Sequence, residues 1–346
     1  MRCIHHNDAD GLCAAAIVKN EFGVVWENVN ADNFVEYCHN GIINIKDETE
    51  FFKPGQTIYI VDLALDHYIF DEIIRKAINN NCQVVHIDHH ISGKKFLEAL
   101  SEEDRKLYND NVISFWTDQY SGCMLTWVYS CMVEDQRKHP NDVEFDLTED
   151  HSSVAIDPNG SIRVCNIPLA VRLIDDNDVW RHKFRESKLF SSAFGVEENT
   201  RPYNDEFWAP LLYEGPSKTY EIIDRGVIIN SFIERQSKSI MKNAFEIEID
   251  GFKGIACNFP VGNSLVFGEA YDTHDFVIKF NQVSDRNWRY TLYSKEDGGA
   301  DCEELVKKYF SDLGLYGGHK HAAGATLDRN IFQKYNPKLD AWVRCN

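Results

Sequence analysis

The chain has 346 residues and no apolar run long enough to form a bilayer-spanning helix, which takes about 20 consecutive apolar residues. It also lacks the opening pattern of a signal peptide: Met1 to Ile4 runs straight into His5-His6-Asn7-Asp8. Its ten cysteines are scattered from Cys3 to Cys345 without a CxxC pair. They are therefore expected to be reduced, mostly buried thiols of a cytoplasmic protein. Basic residues are few, with 36 Lys and Arg against 55 Asp and Glu, for a net charge of −19. That excludes broad, sequence-independent binding to long duplex nucleic acid, which rests on many Lys and Arg contacts to phosphate. A small phosphate ligand stays allowed, because a bound metal supplies local positive charge. No internal repeat or low-complexity segment interrupts the chain. Hydrophobic residues make up 43% and charged residues 26%, a soluble globular balance with length for two domains.

In chain order, strands are expected at Arg2 to His5, Val24 to Val29, Thr57 to Val61 and Cys82 to Ile87. Helices are expected at Leu12 to Asn20, Ile69 to Ala77 and Tyr120 to Val133. This alternation predicts a parallel sheet covered by helices on both faces. Residues 134–163 are polar and acidic, and read as a surface loop or hairpin. The apolar run Ile167 to Ile174 ends in Asp175-Asp176-Asn177-Asp178. Residues 200–243, rich in aromatics and proline and then helical, read as a linker between domains 1–199 and 244–346. The second domain reads as a smaller α/β unit. Its strands are expected at Phe245 to Ile249, Gly254 to Asn258, Asp275 to Asn281 and Trp288 to Tyr293, and its helices at Ser264 to Ala270 and Glu303 to Phe310.

The chemistry gathers at strand ends. Asp8 and Asp10 follow the first strand, Asp62 the third, and Asp88-His89-His90 the fourth. In a parallel sheet such ends share one edge, where ligands bind. A surface turn carrying Asp and His explains the tripeptide alone, but not its recurrence with two other acidic strand ends. Hydrolysis of a phosphate ester needs a deprotonated water, neutralised oxygens and a stabilised leaving oxygen. Two metal ions roughly 3.5–4 Å apart meet all three needs. His5 or His6, Asp8, Asp10, Asp62, His89 and one of Asp175 to Asp178 supply the ligand types for such a pair. Mixed imidazole and carboxylate donors suit Mn, with Mg, Co or Fe as alternatives. Gly317-Gly318-His319-Lys320 lets backbone N–H groups approach a phosphate, with His319 and Lys320 as further donors.

Asp8-Ala9-Asp10-Gly11, Asp62, Asp88-His89-His90 and the Asp176 region resemble the four ordered motifs of the DHH phosphoesterases. The Gly317 to Gly324 stretch resembles the signature of their DHH-associated C-terminal domain. Members include RecJ-type exonucleases, nanoRNases, phosphoadenosine-phosphate phosphatases and cyclic dinucleotide phosphodiesterases. The resemblance implies a two-metal centre in the N-terminal domain and a C-terminal domain that grips substrate across a cleft. It implies metal ligands His6, Asp8, Asp10, Asp62, His89 and Asp176, with Asp62 bridging, and with His5 and Asp178 as the alternatives to His6 and Asp176. His90 and His319 face substrate, Asp88 orients the histidines, and Gly317, Gly318, Lys320 and Tyr293 bind the nucleotide. Three positions depart from the pattern. Ile4 stands four residues before Asp8, where many members have histidine. Two glycines rather than three precede His319. Tyr293 precedes Ser294, where an arginine is common. The expected activity is cleavage of short oligoribonucleotides or linear dinucleotides to mononucleotides. A phosphoadenosine-phosphate phosphatase, a cyclic dinucleotide phosphodiesterase and a non-catalytic nucleotide sensor are the alternatives. No membrane partner is expected, and a homodimer is left open.

Overall fold

Short runs of branched and aromatic residues make the first sheet. Its strands are β1 (Arg2–His6), β2 (Phe34–Cys38), β3 (Ile42–Ile43), β4 (Thr57–Val61), β5 (Gln83–Asp88) and β6 (Val112–Trp116). They lie in the order β3-β2-β1-β4-β5-β6. All neighbours pair in parallel except β2 with β3, at the edge. The structure, a computed structural model, describes every residue except 24–30, 39–41, 44, 134–143, 150, 158–162, 261–263, 296–298, 312–315, 337–340 and 345–346. The strand expected at Val24 to Val29 lies outside the described residues.

Side chains alternate between two cores, as a sheet buried on both faces requires. Cys3, Tyr59, Val61, Val85 and Ile87 face one core. Ile4, Ile58, Ile60 and Val84 face the other. Ile58 and Ile60 are fully buried, each worth about 1.5–3 kcal/mol relative to exposure.

Ten helices accompany the sheet among the described residues. They are α1 (Ala9–Ile17), α2 (Glu48–Phe51), α3 (Arg75–Asn79), α4 (Ile91–Ala99), α5 (Glu102–Asn111), α6 (Gly122–Val133), α7 (Leu169–Asp178), α8 (Arg185–Phe194), α9 (Asp205–Leu212) and α10 (Ser217–Ile240). The first core takes residues from α1, α6, α7, α8 and α9. Ala14, Ala15 and Ala16 are fully buried, and their small side chains let α1 sit close to α6 and the sheet. The acidic excursion after α6 includes an antiparallel sheet of β7 (Glu144–Leu147), β8 (Ser153–Asp157) and β9 (Arg163–Asn166).

The fold divides into two units, Met1–Ile229 and Asn230–Asn346. Residues 200–216, expected in a linker, are part of the first unit, where Phe207, Trp208, Leu211 and Leu212 join the core. Trp208 is fully buried. The division falls inside α10.

The second unit holds a mixed sheet of β10 (Phe245–Ile249), β11 (Phe252–Asn258), β12 (Phe276–Gln282), β13 (Trp288–Tyr293), β14 (Tyr316–His319) and β15 (Ala322–Leu327). Their order is β10-β11-β12-β13-β15-β14. α11 (Ala270–Thr273) is a single turn after a 3-10 segment at Ser264–Phe267, shorter than the helix expected there. α12 (Cys302–Tyr309) covers one face of the sheet through Cys302, Leu305 and Val306. A separate hairpin of β16 (Gln333–Asn336) and β17 (Ala341–Arg344) follows.

Candidate metal centre

The centre forms at the carboxyl ends of β1, β4 and β5, where the strand order reverses direction about β1, the expected place for a ligand in such a sheet. Asp8 caps α1 by accepting the Gly11 N–H at 2.9 Å, and its other oxygen lies 2.6 Å from His6 Nδ1. Burial alone would raise the Asp8 pKa, but His6 and the Gly11 N–H hold it down at about 2. His5 is turned inward, 2% exposed, with Nδ1 2.8 Å from the His6 carbonyl. Of the two histidines, His6 is therefore the one that faces the carboxylates.

Asp62 follows β4 directly and has a left-handed φ of 55°. A non-glycine residue held there costs about 1 kcal/mol or more. Its N–H donates to the Ile87 carbonyl at 2.9 Å. The side chain is 2% exposed. Oδ1 lies 3.2 Å from His89 Nε2 and Oδ2 3.8 Å from His6 Nδ1. Oδ2 is buried and accepts no hydrogen bond from the described residues. Burial first, then Asp10, Asp8 and Asp178, push the Asp62 pKa well above the carboxylate range.

Asp10 is held by the first turn of α6. Gly122 N–H donates to its Oδ2 at 2.6 Å and Cys123 N–H to its Oδ1 at 2.8 Å. A helix N-terminus favours negative charge there. Glycine is required at 122: a Cβ would stand 2.7 Å from Asp62 Cβ and 3.0 Å from Asp10 Oδ2. The sequence signals Gly122 as a helix start but not as a wall of the site.

Buried Asp88 pairs with partly exposed His90, Oδ1 to Nδ1 at 2.7 Å. Burial opposes both charges, yet the pairing wins: Asp88 is lowered and His90 raised. His89 is instead pushed below the usual imidazole range by burial, against the pull of Asp10. Burial thus favours the neutral ring that a metal ligand must have.

The fourth acidic segment corrects the sequence reading. Asp178, not Asp176, reaches the centre, with Oδ2 3.5 Å from His89 Nε2. Asp176 points away and accepts the Lys183 N–H at 2.8 Å, the Phe184 N–H at 3.2 Å and the Ser187 hydroxyl. These residues belong to helix α7, where side chains fan by about 100° per residue, so positions 176 and 178 face opposite ways. Asp175 takes the Ser121 N–H at 2.8 Å and pairs with Arg181. Burial still raises its pKa to about 6.

Three ligand groups result: His6, Asp8 and Asp62; Asp10, His89 and Asp178; and Asp62, His89 and His90. Within each, the ligand atoms lie within 4.8 Å of one another. The residues fit a bound divalent metal. Crowded carboxylates repel without a cation, and the buried Asp62 Oδ2 meets no hydrogen-bond donor among the described residues.

The sequence matches no family model and no curated protein. Among solved structures, the DHH domain of a protein assigned to a ribosomal protein family is 13% identical, with a TM-score of 0.54 over 93% of this chain and 81% of that one. The fold is that of a DHH protein. A manganese-bound exonuclease RecJ is 15% identical over 94% of this chain and 85% of that one, with a TM-score of 0.47. RecJ from Thermus thermophilus in complex with Mn2+ has the same identity and TM-score, and this chain spans 49% of its length.

Other predicted residues lie in the second unit. Gly317 and Gly318 sit in β14, and Lys320 in the turn to β15. Gly318 has φ 145°, and a Cβ there would lie 2.4 Å from Ala323 Cα, so it serves hairpin packing. Gly317 meets no neighbour among the described residues that would exclude a side chain. His319 ends β14, opposite Ala322, and its side chain lies outside the described residues. Tyr293 is partly buried at the end of β13. The hydroxyl of the next residue, Ser294, lies 3.2 Å from His321 Nδ1, a contact that nothing in the sequence signals.

Proposed function

We propose that this chain is a metal-dependent phosphoesterase acting on short oligoribonucleotides or linear dinucleotides, with two divalent ions, Mn by preference. The observation that carries the reading is Asp62: a buried carboxylate in a strained conformation, with its two oxygens turned to His89 and to His6. His6 and Asp8 would hold one ion, Asp10, His89 and Asp178 the other, and Asp62 both. Bound divalent ions lower the pKa of a water and neutralise phosphate charge.

The remaining work falls to the chain's own residues. His90, aligned and kept more basic by Asp88, donates to a phosphate oxygen as negative charge builds there. The α6 N–H groups fix Asp10 so that it cannot swing away. The second unit, read by itself as a DHH-associated domain, carries Gly317, His319, Lys320 and Tyr293 as its nucleotide-binding candidates.

Substrate length follows from charge. At −19, the protein repels a long polyanion beyond the few groups that grip it. A labelled RNA length series at low and moderate salt, with Mn saturating, tests this. Efficiency falls from two to roughly ten nucleotides, and salt relieves part of the penalty by screening. Equal or rising efficiency on long strands points to a processive exonuclease instead. Rapid phosphate release from phosphoadenosine phosphate, with dinucleotides untouched, points to a phosphatase.

A further inference from the structure

Two residues before Asp88, β5 carries a histidine inside an apolar layer. His86 is 4% exposed and is flanked in register by Ile60 of β4 and Ser114 of β6. A polar ring is costly there unless its nitrogens are used. Both are. Nε2 lies 2.8 Å from the Leu63 carbonyl, and because a carbonyl only accepts, Nε2 carries the proton. Nδ1 lies 2.7 Å from the Tyr108 hydroxyl, which is 3.2 Å from Ser114 Oγ.

The Leu63 carbonyl is the informative partner. Leu63 follows Asp62, outside any strand. Asp62 is thus tied to β5 on both sides: its own N–H binds the Ile87 carbonyl, and the carbonyl one residue on receives His86. The same strand delivers His89. β5 therefore sets both ends of the 3.2 Å approach between His89 and Asp62. Without the second tie, the left-handed backbone at Asp62 is free to relax toward an ordinary conformation, and the carboxylate turns with it.

We propose that His86 is a positioning residue: it clamps Asp62 through the Leu63 carbonyl, keeping one carboxylate oxygen toward His6 and the other toward His89. This rests on the reading of Asp62 as a shared metal ligand. The clamp needs a donor at the Nε2 position and nothing else of the imidazole. Glutamine places an amide nitrogen there. Asparagine, one methylene shorter, places its nitrogen only as far out as Nδ1. Leucine places no donor at all.

The test is calorimetric titration of the full-length, metal-free protein with MnCl2, for wild type and for His86→Gln, His86→Asn and His86→Leu, with folding checked by near-UV circular dichroism. Folded His86→Leu and His86→Asn should bind Mn about tenfold or more weaker than wild type, and His86→Gln within about threefold of it. A purely structural histidine would lower the melting temperature and leave the affinity of the folded protein unchanged. If His86→Leu does not fold, the comparison of Gln with Asn carries the test. Equal Mn affinity in those two, or wild-type affinity in folded His86→Leu, overturns the clamp while the metal centre stands. A wild-type protein that binds no Mn overturns the metal reading and the clamp together.

Discussion

Asp178 Oδ2 lies 3.5 Å from His89 Nε2, and this contact decides which acid of a crowded segment belongs to the centre. Asp178→Asn should lose metal. Asp176→Asn should keep it and lose about 1–3 kcal/mol of stability, because its backbone and hydroxyl donors are left poorly paired. Elemental analysis and urea unfolding of both variants separate the roles, and metal loss in Asp176→Asn with full metal in Asp178→Asn would reverse the assignment.

Much of the centre is legible from strand ends. The run Thr57 to Val61 reads as a strand because its branched residues are bounded by polar ones, and β4 has those bounds. A parallel sheet then brings Asp8, Asp10, Asp62 and His89 to one edge whatever the loops do. The sequence favours Asp176 over Asp178 because Asp176 directly follows the apolar run and Asp175, whereas the side-chain fan of helix α7 turns Asp178 to the centre. Residues 200–216 resemble a boundary because of their prolines, yet Pro210 sits inside α9 and Trp208 anchors the core. Gly122 and His86 act through contacts made only by tertiary folding, between positions 60 and 23 residues apart for Gly122 with Asp62 and His86 with Leu63.

Gly122→Ala probes the wall of the site. The added methyl must displace Asp62, whose Cβ it would approach to 2.7 Å. Mn affinity should fall by about tenfold or more, measured by the same titration. Unchanged affinity would mean that Asp62 has room to move without harm.

The two adjacent histidines should separate. His89→Ala should weaken metal binding, because His89 Nε2 faces three carboxylates. His90→Ala should keep metal and lose rate, since His90 pairs through Nδ1 with Asp88 and its proposed role is toward the substrate. Metal content and single-turnover rates check this. Equal metal loss in both would remove the distinction.

The pH dependence follows from the raised carboxylates. Asp175, at about 6 when folded against an ordinary 3.8, binds more proton folded than unfolded, as do Asp62 and Asp178. Their stabilising effect is therefore lost as pH rises through that window. Asp8, at about 2, works the other way: its contribution is present above 3.8 and is lost only as pH falls toward 2. Metal-free protein should melt lower at about pH 7.5 than at about pH 5, and the Mn-induced rise in Tm should grow over the same interval as metal replaces protons. Thermal scans in EDTA and in Mn test it, and a Mn effect of equal size at both pH values would count against proton competition at these groups.

The most direct test of the whole account is hydrolysis of a 5′-phosphorylated linear diribonucleotide with Mn by wild type and by Asp62→Ala, prepared side by side and read by chromatography. The wild type should release two mononucleotides, with EDTA abolishing the reaction, and Asp62→Ala should lose at least one metal equivalent and about a hundredfold or more in rate. Chelator-resistant turnover, or a folded Asp62→Ala with two tightly bound ions and normal rate, would contradict it.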